Sequence, residues 1–330
     1  MHRCYYLDLA KVVTTFLVIF GHLYSSDSAV RLHISAFHMP LFFIVSGVFH
    51  SYKGRINWGH YCKTILWPVL IFMGLSMMTG LLFHGARFSF FWHHYFVELV
   101  SGKYSDILWF LFALFWCKVI CDCVYGYRSF LFLCFFIWML LLFVPVFIIK
   151  SRLPFAVSQA LMAFPFYAAG FLGKKYLLHK TVSFKWGFLF VACLFLTVAI
   201  TCLQGRVSML GVKFGAIGIN VFGDDYMAFP RWIRGILQIA NVVLFYLNGF
   251  VGSLMILSFS LFPFPETKIV TSRSKSLITV VGTQYLFINP IVNAIGYNNG
   301  FLFTAGITIC IYFFCYLLHL LLRPVYQVIH

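Results

Sequence analysis

The chain has 330 residues, of which 62% are hydrophobic and 10% are charged, and its mean hydropathy is +0.93. This composition excludes a soluble globular protein and indicates an integral membrane protein with several spans. The formal net charge of +16 does not indicate nucleic-acid binding, because Lys and Arg are scattered through short loops, where they act as topology determinants that also meet lipid headgroups.

Apolar runs predict an all-α fold, a polytopic integral membrane bundle of about ten transmembrane helices. No hydrophilic block is long enough to fold separately, so residues 1–330 are expected to form a single domain. Pro40 is expected in the first turn of the second span, and the long eighth run either tilts or breaks near Asn248 and Gly249. In chain order the predicted spans are 6–25, 38–50, 64–83, 107–125, 129–149, 155–173, 185–203, 234–262, 277–295 and 301–322.

The distribution of basic residues predicts the orientation of these spans. Ten spans place both termini on one side of the membrane. Lys and Arg are more numerous in the loops on that side, although those loops are generally shorter. The positive-inside rule therefore predicts cytoplasmic N- and C-termini in a multi-pass protein of the cytoplasmic membrane.

The first two predicted spans carry polar side chains that are unusual at such depth. Asp8, Lys11 and His22 lie in the first span, and His38 lies in the second. Titratable groups in the hydrocarbon region are costly, so they usually face a protein interior or a cavity and indicate function. The alternative is structural: Lys11 sets topology, Asp8 caps the helix or pairs with Lys11, and each His meets an interior partner or interfacial water.

The spacing of these residues predicts one polar stripe on the first helix. Ten residues separate Lys11 from His22, a step of about three turns and about 16 Å along the axis. Asp8 precedes Lys11 by about one turn. His22 and His38, joined by fifteen residues, are both expected near the outer end of their spans. A neutral imidazole there suits general-base activation of a hydroxyl, and an acyl donor entering from the cytoplasm would need a long thin arm, such as that of coenzyme A.

The same order resembles the membrane-bound acyltransferase 3 family. A basic residue, ten residues and a His in the first span precede an FHMPLFF-S-G second span, as in the branch of fucose 4-O-acetylase-like proteins. Residues 107–114 (ILWFLFAL), 164–174 (FPFYAAGFLGK) and 281–290 (VGTQYLFINP) are similar to further family segments. In the last segment Asn289 stands where the family often has His, and Gln284 and Tyr285 are atypical. The longer family motif with a carboxylate is replaced by WFLF at 109–112.

The resemblance implies transfer of an acetyl or other short acyl group from cytoplasmic acyl-CoA to an extracytoplasmic carbohydrate or glycolipid hydroxyl. It makes His22 the catalytic imidazole and Lys11 its basic motif partner. Asp8 and His38 occupy further characteristic positions of the first two spans. Acetyl-CoA is the expected co-substrate, and no metal is expected.

Several weaker candidates complete the predicted site. Lys174 and Lys175, together with Lys11, are candidate contacts for coenzyme A phosphates, although topology control explains the first two equally well. Trp109, His93 and Asp224 are candidate acceptor contacts. Their alternatives are an aromatic anchor for Trp109 and solvated loops for the other two.

Two other functions are compatible with the sequence. A transporter or flippase could use Asp8, Lys11 and His22 as a proton relay, but no inverted repeat accompanies them. A catalytically silent relative could bind a glycan-assembly partner. The ten Cys residues lie mostly in apolar spans, and the lone CxC at Cys121 and Cys123 has no second ligand pair, so neither a disulfide framework nor zinc is predicted.

Overall fold

The computed structural model describes residues 4–25, 28–84, 91–101, 108–125, 133–134, 137, 153–204, 230–297 and 299–329. Every regular element in these ranges is helical. In chain order they are α1 (Tyr5–His22), α2 (Ala29–Val48), α3 (Trp58–Tyr61), the π-helical turn π1 (Cys62–Leu66), α4 (Trp67–His84), π2 (Trp92–Val97), α5 (Glu98–Val100), α6 (Trp109–Tyr125), α7 (Val157–Leu172), α8 (Lys174–Leu178), α9 (Lys185–Gln204), α10 (Arg231–Ser260), α11 (Lys268–Arg273), α12 (Leu277–Thr283), α13 (Tyr285–Ile295) and α14 (Phe301–Ile329).

Among the described residues, five helices are long and apolar enough to cross a membrane, or six if α12 and α13 form one bent span. The all-helical membrane fold is therefore confirmed, whereas the number of ten spans stays a prediction. Most of the predicted span at 129–149 lies outside the described residues. The five spans are Ala29–Val48, Trp58–Leu81, Lys185–Cys202, Val243–Ser260 and Phe301–Pro324.

One local prediction for the spans is wrong, and one open alternative is decided. Helix α2 begins at Ala29, not near residue 38, so Pro40 lies inside the helix and His38 lies near its middle. Helix α10 runs unbroken through Asn248 and Gly249. Gly249 instead permits close packing, because a Cβ at this position would press on the Phe166 ring and on Pro40.

Helix α2 forms the centre of the described bundle and packs against α1, α7 and α10. Its contact with α7 is unusually close, because Gly47 faces the Tyr167 carbonyl and Gly170 faces the Ile44 carbonyl. Small residues at helix crossings let backbones approach in membrane proteins, where dispersion and not hydrophobicity holds helices together. The antiparallel α1–α2 pair brings Lys11 beside Phe49 at one end, with 4.9 Å between the ammonium nitrogen and the ring centroid.

Candidate active site

His22 ends α1 and contacts Tyr285, the first residue of α13. The Tyr285 hydroxyl lies 3.0 Å from His22 Nδ1, and the two rings are 5.1 Å apart. This contact occupies Nδ1, so Nε2 is the ring nitrogen that Tyr285 does not use. The bend of 41° between α12 and α13 precedes Tyr285 directly and so helps to set where its ring points.

His38 is buried in α2, and its Nδ1 lies 2.8 Å from the Ile34 carbonyl oxygen. A carbonyl only accepts, so Nδ1 carries the hydrogen and Nε2 is left as an acceptor. Arg31 and His38 are both electrostatic neighbours of His22. The two predicted imidazoles therefore belong to one region, although the early start of α2 places His38 deeper along its helix than expected.

Asp8 and Lys11 form an ion pair one turn apart on α1, with 2.8 Å between the ammonium nitrogen and Oδ1. The Ser274 hydroxyl donates to the same carboxylate oxygen at 2.6 Å. Asp8 therefore connects the start of α1 to the short link between α11 and α12. Lys11 lies in the second turn of α1 and His22 is its last residue, so about three turns separate them, as the spacing predicts.

A cavity of about 290 Å³ lies between α1, α2, π1, α6 and α12. Lys11, Lys118 and Lys275 are its basic lining residues. Phe42, Phe110 and Val281 belong to its apolar wall. Val281 precedes Tyr285 by four residues, about one helical turn, so the cavity extends from the Lys11 end of the bundle towards the His22–Tyr285 contact.

A second, smaller cavity of about 100 Å³ shares Phe49 and Lys118 with the first. Its other cationic lining residues are Lys53 and Arg55, and the His50 and His60 imidazoles line it as well. The two cavities thus form adjoining spaces with a cationic lining at one end of the bundle. Such a lining favours a polyanionic ligand.

A buried polar network beside the smaller cavity was not predicted from the sequence. His50 Nε2 lies 3.0 Å from Asp122 Oδ1, and the Tyr61 hydroxyl donates to Oδ2 at 2.6 Å. The Tyr167 hydroxyl lies 2.8 Å from His50 Nδ1. Burial lowers the pKa of His50 below its ordinary value of 6.5, and the Asp122 carboxylate only partly opposes this effect. His50 is therefore neutral at neutral pH.

The remaining predicted site residues lie in different surroundings. Trp109 is buried, and its indole Nε1 has no hydrogen-bond partner among the described residues. His93 is exposed on π2. Lys174 donates to the His50 carbonyl at 3.0 Å, whereas Lys175 is exposed. Asp224 lies outside the described residues.

Clusters of three or more His, Cys, Asp or Glu side chains that could hold a metal ion do not occur within the described residues. Ammonium groups, hydroxyls and apolar side chains line the larger cavity, and the imidazoles of His22 and His38 lie outside its lining. The imidazoles can take up a proton, the ammonium groups can bind an anion, and the apolar lining can surround an apolar chain.

Comparison with known proteins identifies the family of this chain. A family model described as an acyltransferase domain matches residues 5–320, nearly the whole chain. No curated protein and no solved structure matches the chain significantly. The match supports acyl transfer other than aminoacyl transfer and does not favour the transporter interpretation. The chain belongs to the acyltransferase 3 family, and it is a membrane acyltransferase.

Proposed function

We propose that this protein transfers an acetyl or other short acyl group from cytoplasmic acyl-CoA to a hydroxyl of an extracytoplasmic carbohydrate or glycolipid. Because the sequence resembles the fucose 4-O-acetylase-like branch, a sugar hydroxyl is the expected acceptor. One observation carries the proposal: a cavity with three lysines in its lining extends to about one helical turn from Tyr285, the residue that contacts His22.

The shape and lining of the cavity fit the two chemically different parts of coenzyme A. Its phosphates would lie near Lys11, Lys118 and Lys275, with the adjoining basic cavity available to the nucleotide end. Its thin arm would pass the apolar walls towards His22. Lys174 and Lys175 would lie further out, since the Lys174 ammonium already donates to the His50 carbonyl.

His22 would act as the general base through Nε2. In the tautomer that leaves Nε2 as an acceptor, Nδ1–H donates to the Tyr285 hydroxyl oxygen, as the 3.0 Å distance allows. His22 takes the proton of the acceptor hydroxyl, the hydroxyl oxygen bonds to the thioester carbon, and the carbon–sulfur bond breaks. The proton then passes to the departing thiolate, which leaves free coenzyme A.

The other predicted residues take supporting roles in this proposal. His38 offers a second imidazole acceptor near His22. Trp109 offers a buried N–H to the acceptor, and His93 and Asp224 are the proposed acceptor contacts further along the chain. Asp8 holds Lys11 at 2.8 Å and so positions it at the cavity.

The proposed topology follows from the charge distribution. A ten-span protein of the cytoplasmic membrane with both termini inside would place the basic cavity end on the cytoplasmic side, where acyl-CoA is made. His22 would then lie towards the outer side, where the carbohydrate is found.

The deciding experiment measures release of free coenzyme A from acetyl-CoA by the purified protein in detergent, with a fucoside supplied as the acceptor. His22→Ala is expected to reduce kcat by about 100-fold or more, because it removes the base. Lys11→Ala is expected mainly to raise KM for acetyl-CoA. His179→Ala, which changes an exposed imidazole, serves as the control and should behave as wild type.

Two results would contradict the proposal. If the wild-type protein neither binds nor consumes acetyl-CoA, then acetyl-CoA is not the acyl donor. If His22→Ala keeps full activity, then His22 is not the general base. Solute uptake into lipid vesicles that contain the purified protein, without acyl-CoA, would favour the transporter interpretation instead.

A further inference from the structure

Gln284 lies at the bend between α12 and α13, and its side chain is 0% exposed. Neither its Oε1 nor its Nε2 atom has a hydrogen-bond partner among the described residues. A buried amide without a partner destabilises a protein, and native structures rarely keep one without a reason. A primary amide offers two N–H donors and one carbonyl acceptor, so the reason can be a ligand that is held here during the reaction.

Along the chain, Gln284 lies between Val281, which lines the larger cavity, and Tyr285. The next residue, Tyr285, contacts His22 Nδ1 at 3.0 Å. Leu277 lines the cavity and precedes Gln284 by seven residues, nearly two turns, so both lie on similar sides of the helix. Val280 and Ile288, one turn to either side, pack with Ile19 of α1 in one apolar cluster. Gln284 therefore lies between the apolar end of the cavity and the last turn of α1.

We infer that the Gln284 amide donates a hydrogen bond to the thioester carbonyl oxygen of the acyl donor, an inference that rests on the proposed function. When the acceptor oxygen bonds to the thioester carbon, negative charge develops on that carbonyl oxygen. A donor that is already in place in a dry site stabilises this charge without reorganisation. The charge returns to the carbon–oxygen double bond as the carbon–sulfur bond breaks.

The alternative donors at the site lie too far away or serve other roles. Lys11 is about 16 Å from His22 along α1, so it cannot reach a carbonyl beside His22. Tyr285 already contacts Nδ1 of the proposed base. Gln284 thus completes a division of the site into phosphate-binding lysines, a base and a carbonyl donor.

The test compares Gln284→Met with wild type in three measurements. Methionine is similar in length and apolar, so it removes the amide and keeps the packing. We expect an unchanged or higher melting temperature, because a buried polar group without a partner is lost. We expect kcat for acetyl-CoA to fall by about 100-fold, with a smaller change in KM. The carbonyl stretch of bound isotope-labelled acetyl-CoA should shift to lower frequency in wild type and not in the variant.

Three other outcomes would contradict either the role of Gln284 or the proposed function. A lower melting temperature in Gln284→Met would mean that the amide has a partner within the protein, and the inference would fail. Unchanged kcat and an unchanged carbonyl stretch would leave acyl transfer in place and remove Gln284 from it. A wild type that neither binds nor consumes acetyl-CoA would overturn the proposed function itself. Gln284→Asn, which keeps the amide one carbon shorter, should retain more activity than Gln284→Met.

Discussion

The His50 imidazole illustrates how single buried polar residues are satisfied in this chain. Asp122 and Tyr167 contact its two nitrogens at 3.0 Å and 2.8 Å. The Lys174 ammonium donates to its backbone carbonyl. These contacts join the end of α2 to α6, α7 and α8, and they fix the start of the loop whose Lys53 lines the smaller cavity.

The lowered pKa of His50 predicts a stability that depends on pH. The folded protein holds His50 neutral, whereas the unfolded chain binds a proton near the ordinary value of 6.5. The unfolded state therefore binds more protons below that value, and stability falls as the pH decreases through it. In detergent, the melting temperature of wild type should fall more between about pH 7.5 and about pH 5.5 than that of His50→Gln.

The comparison of these two proteins isolates His50 from the other imidazoles. His179→Gln, at an exposed position, should keep the wild-type pH dependence. An equal fall in wild type and His50→Gln would show that His50 does not titrate as described.

At this scale the sequence predicts local pairs and misses distant ones. Asp8 and Lys11 are one turn apart, so helical periodicity alone brings them to one face, and their ion pair is present. The His50–Asp122 contact spans 72 residues and the Tyr285–His22 contact spans 263. Such pairs depend on how the helices pack, which no spacing within one helix encodes.

The α2–α7 crossing shows how a pair of helices depends on two glycines. A Cβ on Gly170 would collide with the Ile44 carbonyl, and a Cβ on Gly47 would collide with the Tyr167 carbonyl. Both obstacles are backbone atoms, which cannot move aside by changing a rotamer. The helices must separate to accept any larger residue at either position.

Gly170→Ala is therefore expected to destabilise the protein by about 1–3 kcal/mol, the range for overpacking. Thermal unfolding in detergent checks this. Gly74→Ala is the matched control, because a Cβ at Gly74 in α4 would meet nothing within 4 Å. An equal melting temperature for the two variants would contradict the close crossing.

At the scale of helices, apolar runs in the sequence predict where most helices lie. They do not predict polar turns or bends within a helix. The predicted spans at 107–125, 155–173 and 185–203 match helices closely. The first turns of α2 were not predicted because they contain the polar residues Arg31 and His33, and a hydropathy pattern cannot distinguish a polar helical turn from a loop. The bend at Gln284 was not predicted because the residues on both sides of it are apolar, so the hydropathy pattern shows one continuous span.

For the molecule as a whole, the arrangement of charge around the cavities predicts how the donor binds. Lys118 lines both cavities, and Lys275 lines the larger one. Lys118→Met and Lys275→Met should each raise KM for acetyl-CoA about tenfold, as expected for loss of a charged contact. The change in kcat should be small, because neither residue lies near His22.

A matched variant and a salt series make this prediction specific. Lys185→Met changes an exposed lysine at the start of α9 and should leave KM unchanged. Raising the salt concentration should weaken donor binding more in wild type than in Lys118→Met. Equal KM values in all four proteins would exclude a phosphate-binding role for these lysines.

Composition and the motif of the first two spans predict the membrane fold and the family; the described apolar helices confirm the first, and the family match confirms the second. The cavity could not be predicted in this way. Its lining comes from five separate elements between Lys11 and Val281, so it exists only once these elements have packed.

The apolar wall of the larger cavity affects how much of the acyl donor is lost to hydrolysis. An activated thioester reacts with water as well as with a sugar hydroxyl, and each such event wastes a donor. Phe42, Phe110 and Val281 surround the path along which the thioester would approach His22, and apolar side chains keep water sparse there. The wall would therefore act as a safeguard against futile hydrolysis, and its bulk would set the ratio of ester formed to donor consumed.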